Sequence, residues 1–375
     1  MNYQTCDVIV IGAGIAGAGV AAHLAEHAKV ILLERESQPG YHSTGRSAAL
    51  FSEIYGNQHV RALSRASRDF FFSPPPDFTP IDLVKPRGTL FIATHQQESL
   101  IEAMLQEPGV GQLTEFIDTK AACEKCSILD GSKIVGGLFE AASQDIEVHE
   151  LHQGYLRMFR TRGGVLFNSM AVDGLDYANG SWQVAAGKLR FSAPYIVNAA
   201  GAWADQFAAL AGVSPVGLTP KLRTAALVPV PAELGVRNYP IVIDIAEQFY
   251  FKPDAGDLLV SPADETPVQP CDAQPDEYDI AVAIDRIEQV TTLQINRVTH
   301  RWAGLRTFAP DKTPVVGWDT RASGFFWLAG QGGYGIQTAP ALSQLAASTV
   351  LGRGVPERLL NHGVDADALH PRRLS

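Results

Sequence analysis

Gly12, Gly14 and Gly17 form a G-x-G-x-x-G whose spacing suits a pyrophosphate. Each glycine has its own mechanical reason. Gly12 permits a tight turn, Gly14 lets backbone approach phosphate, and Gly17 lets a helix pack closely on a sheet. The helix opening there, with Ile15 and Ala16 in its first turn, offers unpaired N–H groups and partial positive charge to an anion. Glu34, about 20 residues downstream, can accept from a ribose 2′-hydroxyl and disfavours a 2′-phosphate. The expected ligand is a dinucleotide other than NADP.

Two further segments bear on which dinucleotide. Residues 38–49 read Gln-Pro-Gly-Tyr-His-Ser-Thr-Gly-Arg-Ser-Ala-Ala. Ser43, Thr44, Gly45, Arg46, Ser47 and Ala48 offer hydroxyls, a cation and a flexible turn, suited to wrapping a diphosphate and a bulky ring. Near the far end, Gly330, Gly332, Gly333 and Gly335 fall within six residues, interleaved with Gln331 and Tyr334 and followed by Ile336, Gln337 and Thr338. Glycines packed this way let backbone press against a flat ligand. The helix beginning after them presents a positive dipole end, able to stabilise negative charge on a reduced flavin. These features favour FAD over NAD.

The elements that must hold these loops are visible as patterns. Residues 7–11 form an apolar strand, 14–28 an Ala-rich helix, and 29–33 a second strand ending at Glu34. That order is one βαβ unit. Residues 150–162 read as an amphipathic helix with Leu151, Tyr155, Leu156 and Phe159 on one face, stopped by Gly163-Gly164 before a strand at 165–167. Residues 195–199 form another apolar strand, opening at Ala200-Gly201 and Trp203, where small residues let a strand end meet the cofactor. Residues 325–329 form a strand and 339–351 a helix. Parallel strands at the start, middle and end of the chain imply one Rossmann-like α/β domain in pieces. Between them, segments such as 88–92 and 248–251 carry β-type patterns broken by Pro-rich loops, including Ser73-Pro74-Pro75-Pro76. The predicted organisation is an FAD-binding domain over 1–84, 146–219 and 301–375, with a substrate domain inserted over 85–145 and 220–300.

Composition narrows the function classes. The 375 residues suit two domains, and 46% hydrophobic residues can build a large core. A net charge of −10, without a block of like charges, argues against nucleic acid as a partner. Residues 8–22 lack charge, but they are too short for a membrane span and carry the wrong flank for a signal peptide. Cys123 and Cys126 form a C-x-x-C, yet Cys6 and Cys271 provide no matching pair, so no metal is expected. His149 and His152 are read as packing or surface residues. With no disulfide framework, a cytoplasmic location is expected.

The chain resembles the D-amino acid oxidase, glycine oxidase and sarcosine oxidase superfamily, and within it most closely the bacterial D-arginine dehydrogenases. The resemblance runs nearly end to end. It rests on residues 41–49, 151–157, 197–203, 302–306 and 331–338. It implies non-covalent FAD, with Arg35 and Val172 added to the cofactor contacts, and an α+β substrate domain on an antiparallel sheet. It also implies capture of a substrate carboxylate by Arg223 and Arg306, helped by Tyr55 and Tyr250. A planar guanidinium fork pairs two donors with two carboxylate oxygens, which fixes orientation as well as affinity.

The implied pocket comprises Leu50, Ser52, Thr89, Ile241, Gly333 and Gln337. It departs from the arginine enzymes at Thr89, which stands where they carry the glutamate that meets the substrate guanidinium. Leu50, Ile241 and Ser52 stand for a His, a Met and a Thr. A buried guanidinium without a partner costs several kcal/mol. The resemblance therefore implies oxidative deamination of a neutral or apolar D-amino acid: hydride leaves Cα for flavin N5, and water converts the imino acid to a 2-oxo acid and ammonia. Oxygen, a quinone or another acceptor then reoxidises the flavin. The alternatives are a secondary-amine enzyme acting on glycine, sarcosine or proline-like substrates, a 2-hydroxy-acid dehydrogenase, and a non-enzymatic flavoprotein.

Overall fold

The computed structural model describes residues 3–374. A six-stranded sheet runs in the order Val165–Phe167, Val30–Leu33, Val8–Ile11, Tyr195–Asn198, Phe325–Ala329 and Val315–Trp318. All neighbours are parallel except the last pair. Its strands read as continuous apolar runs because both faces are covered. On one face Val8, Val10, Val30, Leu32, Val197, Phe326 and Leu328 pack against helices Ile15–Leu24, Gln58–Phe72, Val148–Thr161 and Gly335–Val350. On the other, Ile9, Ile11, Ile31, Leu33, Ile196, Phe325 and Trp327 pack against the meander Gly174–Ala178, Ser181–Ala186 and Leu189–Ala193 and against helix Ala204–Leu210. Adjacent residues thus serve opposite cores, as the strand period requires.

Two helix boundaries differ by four residues from the sequence reading. The first helix ends at Leu24 rather than 28, where Glu26 and His27 leave the apolar face. The last begins at Gly335 rather than 339, so Gly335, Ile336, Gln337 and Thr338 form its first turn. Glycine composition masks a helix start whose first N–H groups need no intrahelical partner.

A nine-stranded sheet lies beside this layer in the order Gln331–Gly332, His300–Phe308, Thr219–Val228, Asp257–Ser261, Tyr250–Asp254, Ile241–Asp244, Thr89–Thr94, Ile134–Glu140 and Glu115–Asp118. It is antiparallel except between Ile241–Asp244 and Thr89–Thr94. The antiparallel order is interrupted at that one pair. Chain from 85–145 and chain from 220–300 meet at that pair, and two separate crossings of the same layer need not run oppositely. The expected boundary at 301 also moves. His300–Phe308 pairs along its length with Thr219–Val228, so this sheet keeps the chain to Phe308 and regains it at Gln331–Gly332. No described helix is long and apolar enough to cross a membrane.

Candidate active site

A cleft of about 410 Å³ runs from the ends of the parallel strands to the face of the nine-stranded sheet. At its nucleotide end, Gly12 has φ +93°, and a Cβ there would stand 2.5 Å from the Ala199 carbonyl. A Cβ on Gly17 would fall 1.8 Å from the Gly12 carbonyl. Gly17 is thus needed for packing and does not line the cleft, whereas Gly12, Gly14, Ile15 and Ala16 do. One Glu34 oxygen accepts from Ala13 N at 2.7 Å and the other from Glu36 N at 2.9 Å. The Arg35 guanidinium lies 4.7 Å over the Trp203 ring, and Val172, Ala200 and Gly201 complete this end.

His152 also serves the glycine loop. Its Nε2 lies 2.9 Å from the Ala13 carbonyl, so that nitrogen carries the proton. Burial pulls the ring below its ordinary pKa and keeps it neutral. The packing role expected for His152 therefore includes support of the phosphate loop, while His149 is exposed.

The middle of the cleft is made by the 40–48 segment. Gly45 N donates to the Gly40 carbonyl, closing the turn without facing the cleft. Thr44 Oγ1 accepts from Ile15 N at 3.0 Å, and Ser43 Oγ donates to the Leu305 carbonyl at 2.6 Å. Arg46 lines the cleft with Ser47 and Ala48, but its guanidinium binds the Ala273 and Ala303 carbonyls and pairs with Asp272. Its charge holds protein to protein. Arg46 nevertheless borders the cleft, as expected of a cofactor-binding residue.

At the far end Arg223, Tyr250, Arg306, Gln331, Gly332, Gly333, Gly335 and Ile336 line the cleft. Arg223 stands opposite Gly304 in the strand pairing, two residues from Arg306, so both arginines belong to one pair of neighbouring strands. Arg306 Nη1 donates to Tyr55 Oη at 3.1 Å, and the Tyr55 ring meets Tyr334 edge-on at 4.9 Å. Arg223 Nε donates to the Asp264 carbonyl at 2.9 Å, while Nη2 lies 3.4 Å from Glu265. Burial, then the neighbouring Arg306 charge, lowers the Arg223 pKa. Two cations forced together in a concave wall form a site that an anion would relieve.

Several predicted residues stand behind this wall. Tyr55, Tyr334, Gly330, Gln337 and Thr338 do not line the cleft, nor do Leu50, Ser52, Thr89 and Ile241. Thr338 Oγ1 donates to the Tyr334 carbonyl within its own helix. Leu50 and Ile241 pack with Ala225, Tyr250 and Leu259 as an apolar cluster. Ser52, Thr89 and Gln337 are buried in polar contacts. Sequence reasoning missed Gln331, Gly304 and Leu305 as cleft residues, and Glu140 behind the wall. Motif position pointed to the first three; nothing local marks Glu140.

The two cysteines of the C-x-x-C differ in burial, Cys126 being buried and Cys123 half-buried. All four cysteines are free. Burial pushes the Cys126 thiol up to about 12 and also raises Cys123. A protonated thiol is a poor nucleophile and ligand.

The residues suit FAD. A glycine loop and helix start meet one end of the cleft, and a second glycine loop and helix start meet the other. Gln331 Nε2 is buried beside the cleft with no hydrogen-bond partner among the described residues. Such a donor requires a partner that a bound cofactor can offer.

Comparison with known proteins agrees with this geometry. The family model described as "DAO: FAD dependent oxidoreductase" matches residues 7–349. Glycine oxidase from Bacillus licheniformis is 23% identical, over 93% of this chain and 94% of its own. L-2-hydroxyglutarate dehydrogenase from Escherichia coli is 24% identical, and the match covers 56% of this chain and 50% of that relative, about half its length. The solved structure of L-proline dehydrogenase from P. horikoshii superposes with a TM-score of 0.84 at 20% identity, over 99% of this chain and 98% of the other.

Proposed function

Since this chain belongs to the DAO family of FAD dependent oxidoreductases, we propose that it oxidises the Cα–N bond of a D-amino acid with a neutral or apolar side chain. The observation that carries this reading is the pairing of Arg223 and Arg306 at one end of the cleft, with Tyr55 on Arg306 and Tyr250 in the same wall. A carboxylate held by two guanidinium groups leaves its Cα with a fixed direction. Bound FAD supplies the two-electron acceptor for the Cα hydrogen and its electron pair.

The remaining work falls to this chain. Arg223 and Arg306 neutralise and orient the carboxylate. The Tyr250 hydroxyl offers a polar contact beside it, where a neutral amine can be held, and Tyr55, behind the wall, steadies Arg306 through its hydroxyl. The apolar cluster of Leu50, Ile241, Tyr250 and Leu259 supports a wall suited to an uncharged side chain. We place the chain beside the D-arginine dehydrogenases within the family, on the motifs at 41–49 and 331–338. The FAD is held non-covalently, and water outside the site converts the imino acid to 2-oxo acid and ammonia.

A second reading, oxidation of glycine, sarcosine or a proline-like amine, is supported by the likeness to glycine oxidase and L-proline dehydrogenase. One experiment separates them. The loaded protein is mixed anaerobically with D- and L-amino acids, sarcosine and D-proline while the oxidised flavin absorbance is followed. Fast bleaching by D-methionine or D-leucine, with ammonia released on turnover, is expected. Bleaching by sarcosine or proline alone would replace the first reading with the second.

A further inference from the structure

Glu140 ends strand Ile134–Glu140 and is only 2% exposed. Among the described residues it makes no ion pair with Lys, Arg or His. Its Oε2 accepts from Ser52 Oγ at 2.7 Å and its Oε1 from Glu53 N at 3.2 Å. Both donors belong to the short segment that leads into Tyr55. On its other side Ser52 N donates to Gln337 Oε1 at 3.1 Å, and Gln337 Nε2 lies 2.9 Å from Ser64 Oγ. The segment is therefore fastened to the nine-stranded sheet through Glu140 and to the helix of the cofactor layer through Gln337.

Beyond Tyr55 the chain is fixed independently. Gly56 turns at φ +84°, and Asn57 caps the next helix by accepting from His59 N and Val60 N at 3.1 Å. Tyr55 lies between this cap and the Glu140 clamp, and its hydroxyl meets Arg306. We propose that Glu140 is a positioning residue for substrate binding, fastening the segment before Tyr55 so that the Tyr55 hydroxyl stays on Arg306.

This rests on the reading that Arg306 takes the substrate carboxylate. The charged groups facing Glu140 are few. Glu53 stands beside it and is itself paired with Arg68 at 2.7 Å. Thr89, its register partner, is neutral and is hydrogen-bonded to Ser143 at 2.7 Å. Burial raises the Glu140 pKa to about 7 against the opposing Ser52 and Glu53 bonds. A carboxyl kept inside without a cation, and bonded only to one loop, is placed for that loop.

The test compares wild type, Glu140→Ala and Glu140→Gln as FAD-loaded proteins. The amide can offer its oxygen to Glu53 N and its N–H to Ser52 Oγ, so it should rescue. In Glu140→Ala, amide hydrogen exchange over residues 50–56 should quicken, KM for the best substrate should rise about tenfold, and kcat should fall less than twofold. FAD content should not change. Glu140→Gln should remain within about twofold of wild type in both exchange and KM. Unchanged exchange in Glu140→Ala, or quickened exchange with unchanged KM, would overturn the proposal. A wild type that no amine or amino acid reduces would instead sink the proposed function; acetate perturbation of the flavin spectrum then replaces KM, and a tenfold weaker acetate Kd in Glu140→Ala is the supporting result.

Discussion

Replacing Gly333 with alanine isolates the guanidinium end of the cleft. Its new Cβ would lie 2.8 Å from Arg306 Nη1, 3.0 Å from Cζ and 3.2 Å from Nε. Gly333 is not among the positive-φ glycines, so its backbone accepts alanine. The methyl group's three nearest neighbours are all atoms of the Arg306 guanidinium. Ordinary carbon contacts need about 3.5–4.0 Å, so the guanidinium must retreat by roughly 1 Å. A retreat of that size breaks or stretches the 3.1 Å bond to Tyr55. It also misplaces one of the two forks meant for the carboxylate. A hydrogen bond to a charged group contributes about 1.5–3 kcal/mol, and a central loss of about 2 kcal/mol is roughly thirtyfold in affinity. Anaerobic flavin reduction over a range of substrate concentrations reads this directly. The expected result is an apparent Kd about thirtyfold higher, with full FAD content and a smaller change in the limiting rate. An unchanged Kd in a fully loaded protein would refute the placement of Arg306 in the substrate site. Loss of FAD instead would show that the methyl group disturbs the cofactor.

Other perturbations probe the groups behind that wall. Because burial raises Glu140 to about 7, its protonated form is favoured in the fold, and the stability it confers is present below about pH 4.5 and lost as pH rises through 7. Glu140→Gln should therefore gain on wild type by up to about 3 kcal/mol between pH 5 and pH 8 in denaturant melts, and parallel pH curves would count against a buried, unpaired carboxyl. Thr89→Glu sets a second carboxylate opposite Glu140. It should lower Tm rather than create D-arginine activity, and adding Glu140→Gln should recover part of the loss; a stable single variant active on D-arginine would refute this. Burial pushes Glu265 up, but Lys221, Lys312 and Arg223 outweigh it and hold the group below the usual carboxylate range. As a carboxylate beside Arg223 it competes with substrate, so Glu265→Gln should lower KM by about threefold, whereas a higher KM would mean that Glu265 orients Arg223 instead.

The parallel layer was legible because each strand is buried on both faces. Residues 8–11 and 325–329 are unbroken apolar runs for that reason. The glycine loop was legible because two of its glycines answer to contacts with nearby backbone carbonyls, which no side chain could satisfy. The ion pair of Arg46 was not legible, because a cation beside a phosphate loop looks the same in sequence whether or not it also meets Asp272, some 226 residues away. Thr89 and Ser52 were singled out by resemblance, yet both lie in a buried polar layer whose third member, Glu140, has no local mark. It closes the run Ile-Val-Gly-Gly-Leu-Phe-Glu, where an acid looks like the exposed end of a strand. Only the pairing of Ile134–Glu140 with Thr89–Thr94 turns it inward.

The sheet order separates two demands on the site. Arg223 and Arg306 occupy adjacent strands near one side of the sheet, and Thr89 and Ile241 face each other across the parallel seam. The strands Asp257–Ser261 and Tyr250–Asp254 stand between. At about 4.8 Å per strand, the Arg223 and Ile241 strands are roughly 14 Å apart at the backbone, a gap that long arginine side chains shorten by reaching into the cleft. Anchoring of a carboxylate and choice of a side chain therefore rest on different strands, contributed by different stretches of chain. A change at Ile241 or Leu50 reshapes the apolar cluster without touching either guanidinium. Tyr250 joins both, since it lines the cleft beside Arg223 and packs in that cluster. Substitutions at Ile241 should therefore alter the ranking of substrates while leaving acetate affinity as it was, and substitutions at Tyr250 should move both together.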